Sequence, residues 1–427
     1  MKYLLPFLIL VYQAAGQPAA PPLNLTFSEA LERARQYSGQ ALAANYAALV
    51  AHEDTVQARA ALLPTANSVN QYIYTRPNGT DTGVFIAANG PREYGHQAVV
   101  HADVYAPAKR ADYRKAIAAE AVARARADIA GRGLIFTVAQ NYYGMVGAQR
   151  RIGYAELALT DAEKFADITA KQEAAGEVSR ADVIKAQLQL EQRRIELQNS
   201  RTELEKTQIN FSVALFPDYS REFTVTDDLD TVAPVVPLEE MRSMAQNSPE
   251  IRAARSALEG QTEEKAAARA GLLPTISFEY SYGLDSNQYA WRNPEGFRNL
   301  GSQVMAQMSV PIWNWGATHS KIKQADLRLQ QSRAELGLAQ RQLQANLNAY
   351  YVELSAATNL LSSLQRAVDL GQESLRLTLL RYQAGEATAL EVVDSQSALV
   401  QARNGLIDGL VRYRLARATV QTLTGVF

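Results

Sequence analysis

Two stretches of the chain, about 210 residues apart, carry the same succession of breaks, and this duplication constrains the fold more than any other feature of the 427 residues. Ala58-Arg-Ala-Ala-Leu-Leu-Pro-Thr65 matches Ala268-Arg-Ala-Gly-Leu-Leu-Pro-Thr275 without a gap. Upstream, Leu25-Thr-Phe-Ser-Glu-Ala-Leu31 matches Val235-Val-Pro-Leu-Glu-Glu-Met241. Downstream, Ala175-Gly-Glu177 matches Ala384-Gly-Glu386, and Asp182-Val183 matches Glu391-Val392. Alanine-rich helices can resemble one another by chance. Chance does not keep a Leu-Leu-Pro break and an Ala-Gly-Glu break in step. The acidic, proline-bearing stretch 217–237 reads as a linker between a first repeat, 17–216, and a second, 238–427.

Each repeat has one internal order. A helix of about 35 residues ends at Pro64 or Pro274, where proline removes a hydrogen-bond donor. A strand follows. Ile276, Phe278, Tyr280 and Tyr282 alternate with Ser277, Glu279 and Ser281, which makes one apolar and one polar face. After a polar loop (76–95 or 285–301) comes a second strand, where Val304, Ala306, Met308 and Val310 alternate with Met305, Gln307 and Ser309. The first repeat's counterparts are 66–74, the more polar of the strands, and Ala98, Val100, Ala102 and Val104.

Next comes a helix of about 70 residues, roughly 105 Å long, and a return helix of about 35. The return helices carry Val183, Leu190, Leu197, Leu204 and Phe211, and Val392, Leu399, Leu406, Tyr413 and Val420, at heptad spacing. The long second-repeat helix has two rows, Ile322 to Tyr350 and Leu347 to Leu375. Two rows fit a helix with neighbours on both sides, as in a ring of helices; an antiparallel bundle with a dry centre is the alternative. The return helix of one copy and the opening helix of the other, stacked end to end, match one long helix, which puts the linker at mid-height.

Composition excludes much. Lys plus Arg is 43 against 44 Asp plus Glu, which gives no basic excess for nucleic acid. Without cysteine there is no disulfide, thiolate metal site or thiol-linked lipid. His96 and His101, five apart on a strand, point to opposite faces, so no shared metal is expected. No nucleophile elbow, phosphate loop or helical His pair appears, so no catalytic residue, cofactor or metal ligand is assigned and no enzyme is expected. Residues 1–16 read as a signal peptide: Lys2, an apolar run from Leu4 to Val11 broken by Pro6, then Ala14-Ala15-Gly16. A buried core segment is the alternative there. The strands have the length and apolar face of tilted membrane-spanning strands; a small soluble β-layer on a bundle would share both. Four strands cannot close a barrel, two chains give a filled one, and three give twelve strands with room for a channel.

The doubled Ala-Arg-Ala-x-Leu-Leu-Pro, Val310-Pro-Ile-Trp-Asn-Trp-Gly316, and Arg381-Tyr-Gln-Ala-Gly385 followed by Leu390-Glu-Val-Val-Asp-Ser395 resemble the TolC-type outer-membrane factor family over 25–425. Val104-Tyr-Ala-Pro107 departs from the family's Val-Pro-aromatic turn. The resemblance implies a mostly α fold with a small β part: a homotrimeric, twelve-stranded outer-membrane β-barrel on a twelve-helix periplasmic α-barrel. It implies an export duct of an efflux pump or type I secretion system, with an inner-membrane transporter, a periplasmic adaptor and outer-membrane lipid as partners. A soluble periplasmic coiled-coil or adaptor-like protein is the rival reading.

Two sites follow from the resemblance. Ala175, Gly176 and Glu177, with Ala384, Gly385 and Glu386, turn the long helices and are implied as adaptor-docking tips; an ordinary helical turn is the alternative. Glu391 and Asp394, three apart on one face, match the inward-pointing acids that ring the family's tunnel end. Glu replaces Asp at the first position and would reach further into the ring. Asp182 holds the matching place in the first repeat, where Lys185 replaces the second acid. The alternative is that these acids are solvated near a helix N-terminus.

Overall fold

The structure, a computed structural model, describes residues 23–75, 92–218 and 222–425. The proposed signal peptide and most of the first polar loop lie outside them. The elements are β1 (Leu23–Leu25), α1 (Phe27–Tyr37), α2 (Gly39–Ala60), β2 (Thr65–Tyr74), β3 (Arg92–Tyr105), α3 (Pro107–Ala174), α4 (Arg180–Leu215), β4 (Phe223–Val225), α5 (Leu238–Ala245), α6 (Pro249–Ala270), β5 (Thr275–Ser286), β6 (Leu300–Ser309), α7 (Ala317–Gln383) and α8 (Ala389–Thr424).

Two compact units form, and each draws on both repeats. Among the described residues, one takes those up to Ser38, Leu134–Val235 and Val352–Thr419; the other takes those in Gly39–Gly133, Val236–Tyr351 and from Val420 on.

The second unit holds the sheet, an antiparallel ladder in the order β2-β3-β5-β6. The helices follow the strands. His52 Nδ1 lies 3.0 Å from Glu120 Oε1 between α2 and α3. Arg252 donates to Asp128 at 2.7 Å between α6 and α3, and Lys265 pairs with Asp326 between α6 and α7. The row α2-α3-α6-α7 thus matches the strand order, with α2 and β2 at one end and α7 and β6 at the other. The Leu-Leu-Pro break has the same geometry in both repeats: Leu62 and Leu63 donate to Arg59 and Ala60, as Leu272 and Leu273 do to Arg269 and Ala270.

The first unit has an aromatic core. Tyr142 packs edge-on against Phe27 and Phe211, and Phe211 against Phe223. The stretch 217–237 is more than the linker expected. Its β4 pairs in parallel with β1, and Leu229 is fully buried. The Tyr142 hydroxyl donates to the Thr226 carbonyl at 2.7 Å, and burial pushes its pKa well above the usual phenol value. Arg150 clamps the same stretch, donating to both oxygens of Asp227 and both of Asp230 at 2.5–2.8 Å.

One expectation is corrected. The opening helix is broken at Ser38 in the first repeat and at 246–248 in the second. Ser38 is extended, and Ser248 caps a new helix with Pro249 in its first turn. On α7, Leu329 is buried in the sheet-bearing unit, and Leu354, Val368 and Leu375 in the other. The α8 row is buried at every position from Val392 to Val420.

Candidate functional site

Register turns the strand alternation into surfaces. Val100, Tyr280 and Val304 lie side by side, as do Ala102, Phe278 and Ala306, and Ala98, Tyr282 and Ser302. This face is apolar yet open: Val304 is 71% exposed and Tyr280 46%. A contiguous exposed apolar patch on a sheet marks a membrane or protein contact. The opposite face carries Gln97, His101, Asp103, Glu279, Gln303 and Gln307. His101 lies 3.5 Å from Asp103 and 3.6 Å from Glu279. His96 pairs with Asn70 on the apolar side, so the two histidines do point to opposite faces.

Aromatic residues close both ends of the apolar face. At one end Tyr72 packs on Tyr94 at 4.9 Å and Tyr94 on Tyr289 at 5.9 Å. At the other, where β6 meets α7, Trp313 and Trp315 meet edge-on at 5.7 Å, and Trp315 is 89% exposed. Indole and phenol rings concentrate at membrane–water interfaces because one part is apolar and another hydrogen-bonds. Both tryptophans stand in a sequence motif, but their place at the end of the apolar face becomes visible only with the register and the junction geometry. Trp315 itself has φ 56° and is followed by Gly316 at φ 80°. The first repeat lacks this turn: β3 runs to Tyr105 and α3 begins at Pro107.

In the other unit, the two helical tips have one geometry. Gly176 and Gly385 are left-handed, with φ 79° and 77°. Gly176 donates to Glu173 and Glu177 to Gln172; Gly385 donates to Tyr382 and Glu386 to Arg381. This paired closure needs a residue free of a Cβ clash at positive φ, which is why glycine follows the helix end.

The returning helices begin at Ser179 and Thr388, and the first acid of each is a capping group. Asp182 Oδ2 accepts from Ser179 Oγ at 2.7 Å, with Lys185 at 3.5 Å. The Ser179 hydroxyl holds the Asp182 carboxyl below its ordinary range. Glu391 turns back instead of reaching further: its Oε1 accepts from the Thr388 amide at 3.1 Å and hydroxyl at 3.2 Å, and Arg381 lies 3.5 Å from Oε2. The Thr388 amide, then its hydroxyl, lower the Glu391 pKa. The cap is therefore complete above the ordinary carboxylate range and is lost as pH falls through the lowered value. Asp394, one turn on, is exposed. Arg381, which also donates to the Glu386 carbonyl at 3.0 Å, is the tip residue whose role the sequence did not disclose.

The profile of the outer membrane efflux protein family matches residues 241–426. The chain is 26% identical to outer membrane protein TolC of Vibrio cholerae over 39% of this chain and 38% of that protein. Over 74% of this chain and 72% of the relative, it is 23% identical to the cobalt-zinc-cadmium resistance protein CzcC of Cupriavidus metallidurans. The matches to TolC proteins span 34–38% of their length. The solved structure of VceC from Vibrio cholerae superposes with a TM-score of 0.82 at 17% identity, covering 93% of this chain and 96% of that one.

Fold and surfaces together define the class: a large helical part carrying a small sheet with one exposed apolar face, the fold that solved outer-membrane channel proteins share. By sequence over its second half, and by fold over most of its length, the chain is similar to the TolC-type outer-membrane factor family.

Proposed function

We propose that the protein is the outer-membrane export duct of an efflux or secretion system, working as a homotrimer. The observation that carries this is the sheet: one exposed apolar face bounded by aromatic ends, one polar face, and two edges, β2 and β6, that have no partner among the described residues. An unpaired edge cannot face lipid. Joining β6 of one copy to β2 of the next, head to tail, closes a twelve-stranded barrel with the polar faces inward. Exposed side chains support the same joint. At one end of the row α2 presents Tyr46, Leu49 and Val50, and at the other α7 presents Leu327 and Leu338. In the other unit, α4 presents Leu188, Ile195 and Ile209, which lie on one heptad row. A soluble adaptor-like protein would have no use for the apolar sheet face.

On this reading the helices form the periplasmic tunnel, the stretch 217–237 lies at mid-tunnel, and residues 1–16 direct secretion. Substrate arrives from an inner-membrane transporter through a periplasmic adaptor that docks at 175–177 and 384–386. Nothing in the duct performs chemistry on its cargo. Glu391 and Asp394, with a lesser part for Asp182, form the constricted periplasmic end. Because Arg381 offsets Glu391, Asp394 carries the larger share of the negative field there.

Planar-bilayer recording tests the duct. The expected result is a small, cation-selective conductance that divalent or trivalent cations block from the periplasmic side. Glu391→Ala with Asp394→Ala should weaken block and selectivity without lowering trimer yield, and Asp394→Ala alone should account for most of the change. No conductance from well-assembled protein would refute the duct; unchanged block in the double variant would remove the acids from the gate.

A further inference from the structure

The loop from 287 to 299, between β5 and β6, is a small hairpin whose two sides differ. Asn293 donates to the Phe297 carbonyl at 2.9 Å, and Asn299 to the Trp291 carbonyl at 3.0 Å. Arg292 and Arg298 pair directly across it. Cross-strand partners project to one side and their neighbours to the other. The hairpin therefore has a basic side, Arg292 and Arg298, and an aromatic side, Trp291 and Phe297, all exposed.

Two observations say what this hairpin meets. First, like charges directly opposite on a ladder destabilise it. Neither guanidinium makes an ion pair among the described residues, which leaves both open to an external anion. Second, the root of the loop leans over the apolar face of the sheet. Tyr289 packs on Tyr94, and Tyr94 on Tyr72, in one aromatic ladder. Ser286 pins the turn by donating to the Gln288 carbonyl at 2.6 Å. This places the root on the side that the duct reading gives to lipid.

We infer that the 287–299 hairpin is a lipid-headgroup clamp, in which Arg292 and Arg298 grip the phosphate groups of outer-leaflet lipid while Trp291 and Phe297 enter the apolar boundary. Guanidinium groups suit phosphate because they donate two parallel hydrogen bonds. The clamp would fix the height of the barrel from its outer rim, as Trp313 and Trp315 do at the other end. The inference rests on the membrane placement of the sheet.

The test uses the full chain with Trp313→Phe and Trp315→Phe, which leaves Trp291 as the only one of three tryptophans. The detergent-purified assembly is titrated with mixed micelles of lipid A, a bis-phosphorylated glycolipid, with neutral phosphatidylcholine, and with sodium phosphate. Trp291 emission should shift with lipid A and not with the other two. Arg292→Gln with Arg298→Gln should weaken lipid A affinity about 25-fold at low ionic strength, since each basic group contributes roughly a fivefold factor near an anionic surface. Unchanged affinity in that variant overturns the clamp. So does an equal response to sodium phosphate, which would indicate a free-anion site. Loss of the oligomer with lipid affinity intact overturns it too, by assigning the arginines to a neighbouring copy. Failure of the membrane reading itself looks different: the unaltered protein would not incorporate into phosphatidylcholine bilayers at all, whereas failure of the clamp alone leaves incorporation and conductance intact.

Discussion

Arginine at Val304 should abolish recovery of the protein from the outer membrane, whereas arginine at Gln303, the preceding residue on β6, should leave it there. The two positions share a strand and differ only in face. Val304 lies in the central row of the apolar face beside Tyr280 and is 71% exposed. Gln303 pairs with Ser281 on the polar face. A charged side chain facing lipid at mid-bilayer costs about 2–4 kcal/mol, and three copies multiply that to about 6–12 kcal/mol per assembly. On a water-exposed surface the same substitution costs within about 0.5 kcal/mol. A soluble protein would therefore tolerate both arginines equally. Membrane fractionation of the two variants, with heat-resistant oligomer on gels as the readout, separates the readings. Equal recovery of Val304→Arg and Gln303→Arg would contradict a lipid-facing sheet.

Tryptophan at Gly176 and Gly385 should reduce export to background while the assembly remains in the membrane. Space around the two glycines makes this a test of docking. A Cβ added at either would meet nothing within 4 Å. Positive φ strains any L-residue there by about 1–2 kcal/mol, and the strain is nearly the same for alanine as for tryptophan. Alanine at both sites thus controls for backbone strain, and only bulk separates it from tryptophan. A partner that packs closely against the tips is blocked by the indoles and tolerates the methyls. The expected result is export near normal for the double alanine variant and absent for the double tryptophan variant, with matched levels of inserted protein. Equal export by both would return the tips to ordinary helical turns.

The sequence disclosed whatever is periodic. Sustained helical spacing located α3, α4, α7 and α8 nearly to their ends, because an apolar pattern held over many turns has one solution. Alternation located β5 and β6, and the duplication located β2 despite its polar composition. Short or locally capped features escaped. Ser38-Gly39 and Ser248-Pro249 are helix-start signals inside an otherwise helical stretch, and period alone overrides them. The three-residue strands β1 and β4 are too short to alternate, and their pairing joins residues about 200 apart. At the tips, spacing placed Glu391 and Asp394 on one face. Thr388-x-x-Glu391 is the spacing of a capping box, which competes with any outward role for the carboxylate, whereas the approach of Arg381 to Glu391 shows only in the geometry. The aromatic ends of the sheet needed register, which sets Tyr72 beside Tyr94 from strands that the sequence separates by a loop.

In the proposed assembly one chain supplies a third of a closed barrel. The most direct measurement is the mass of the detergent-extracted protein by sedimentation, with bound detergent subtracted. Three chains per particle, stable to dilution, are expected, because β2 and β6 each leave an edge for a neighbouring copy to pair. A stable single chain that stays folded in detergent would contradict that assembly.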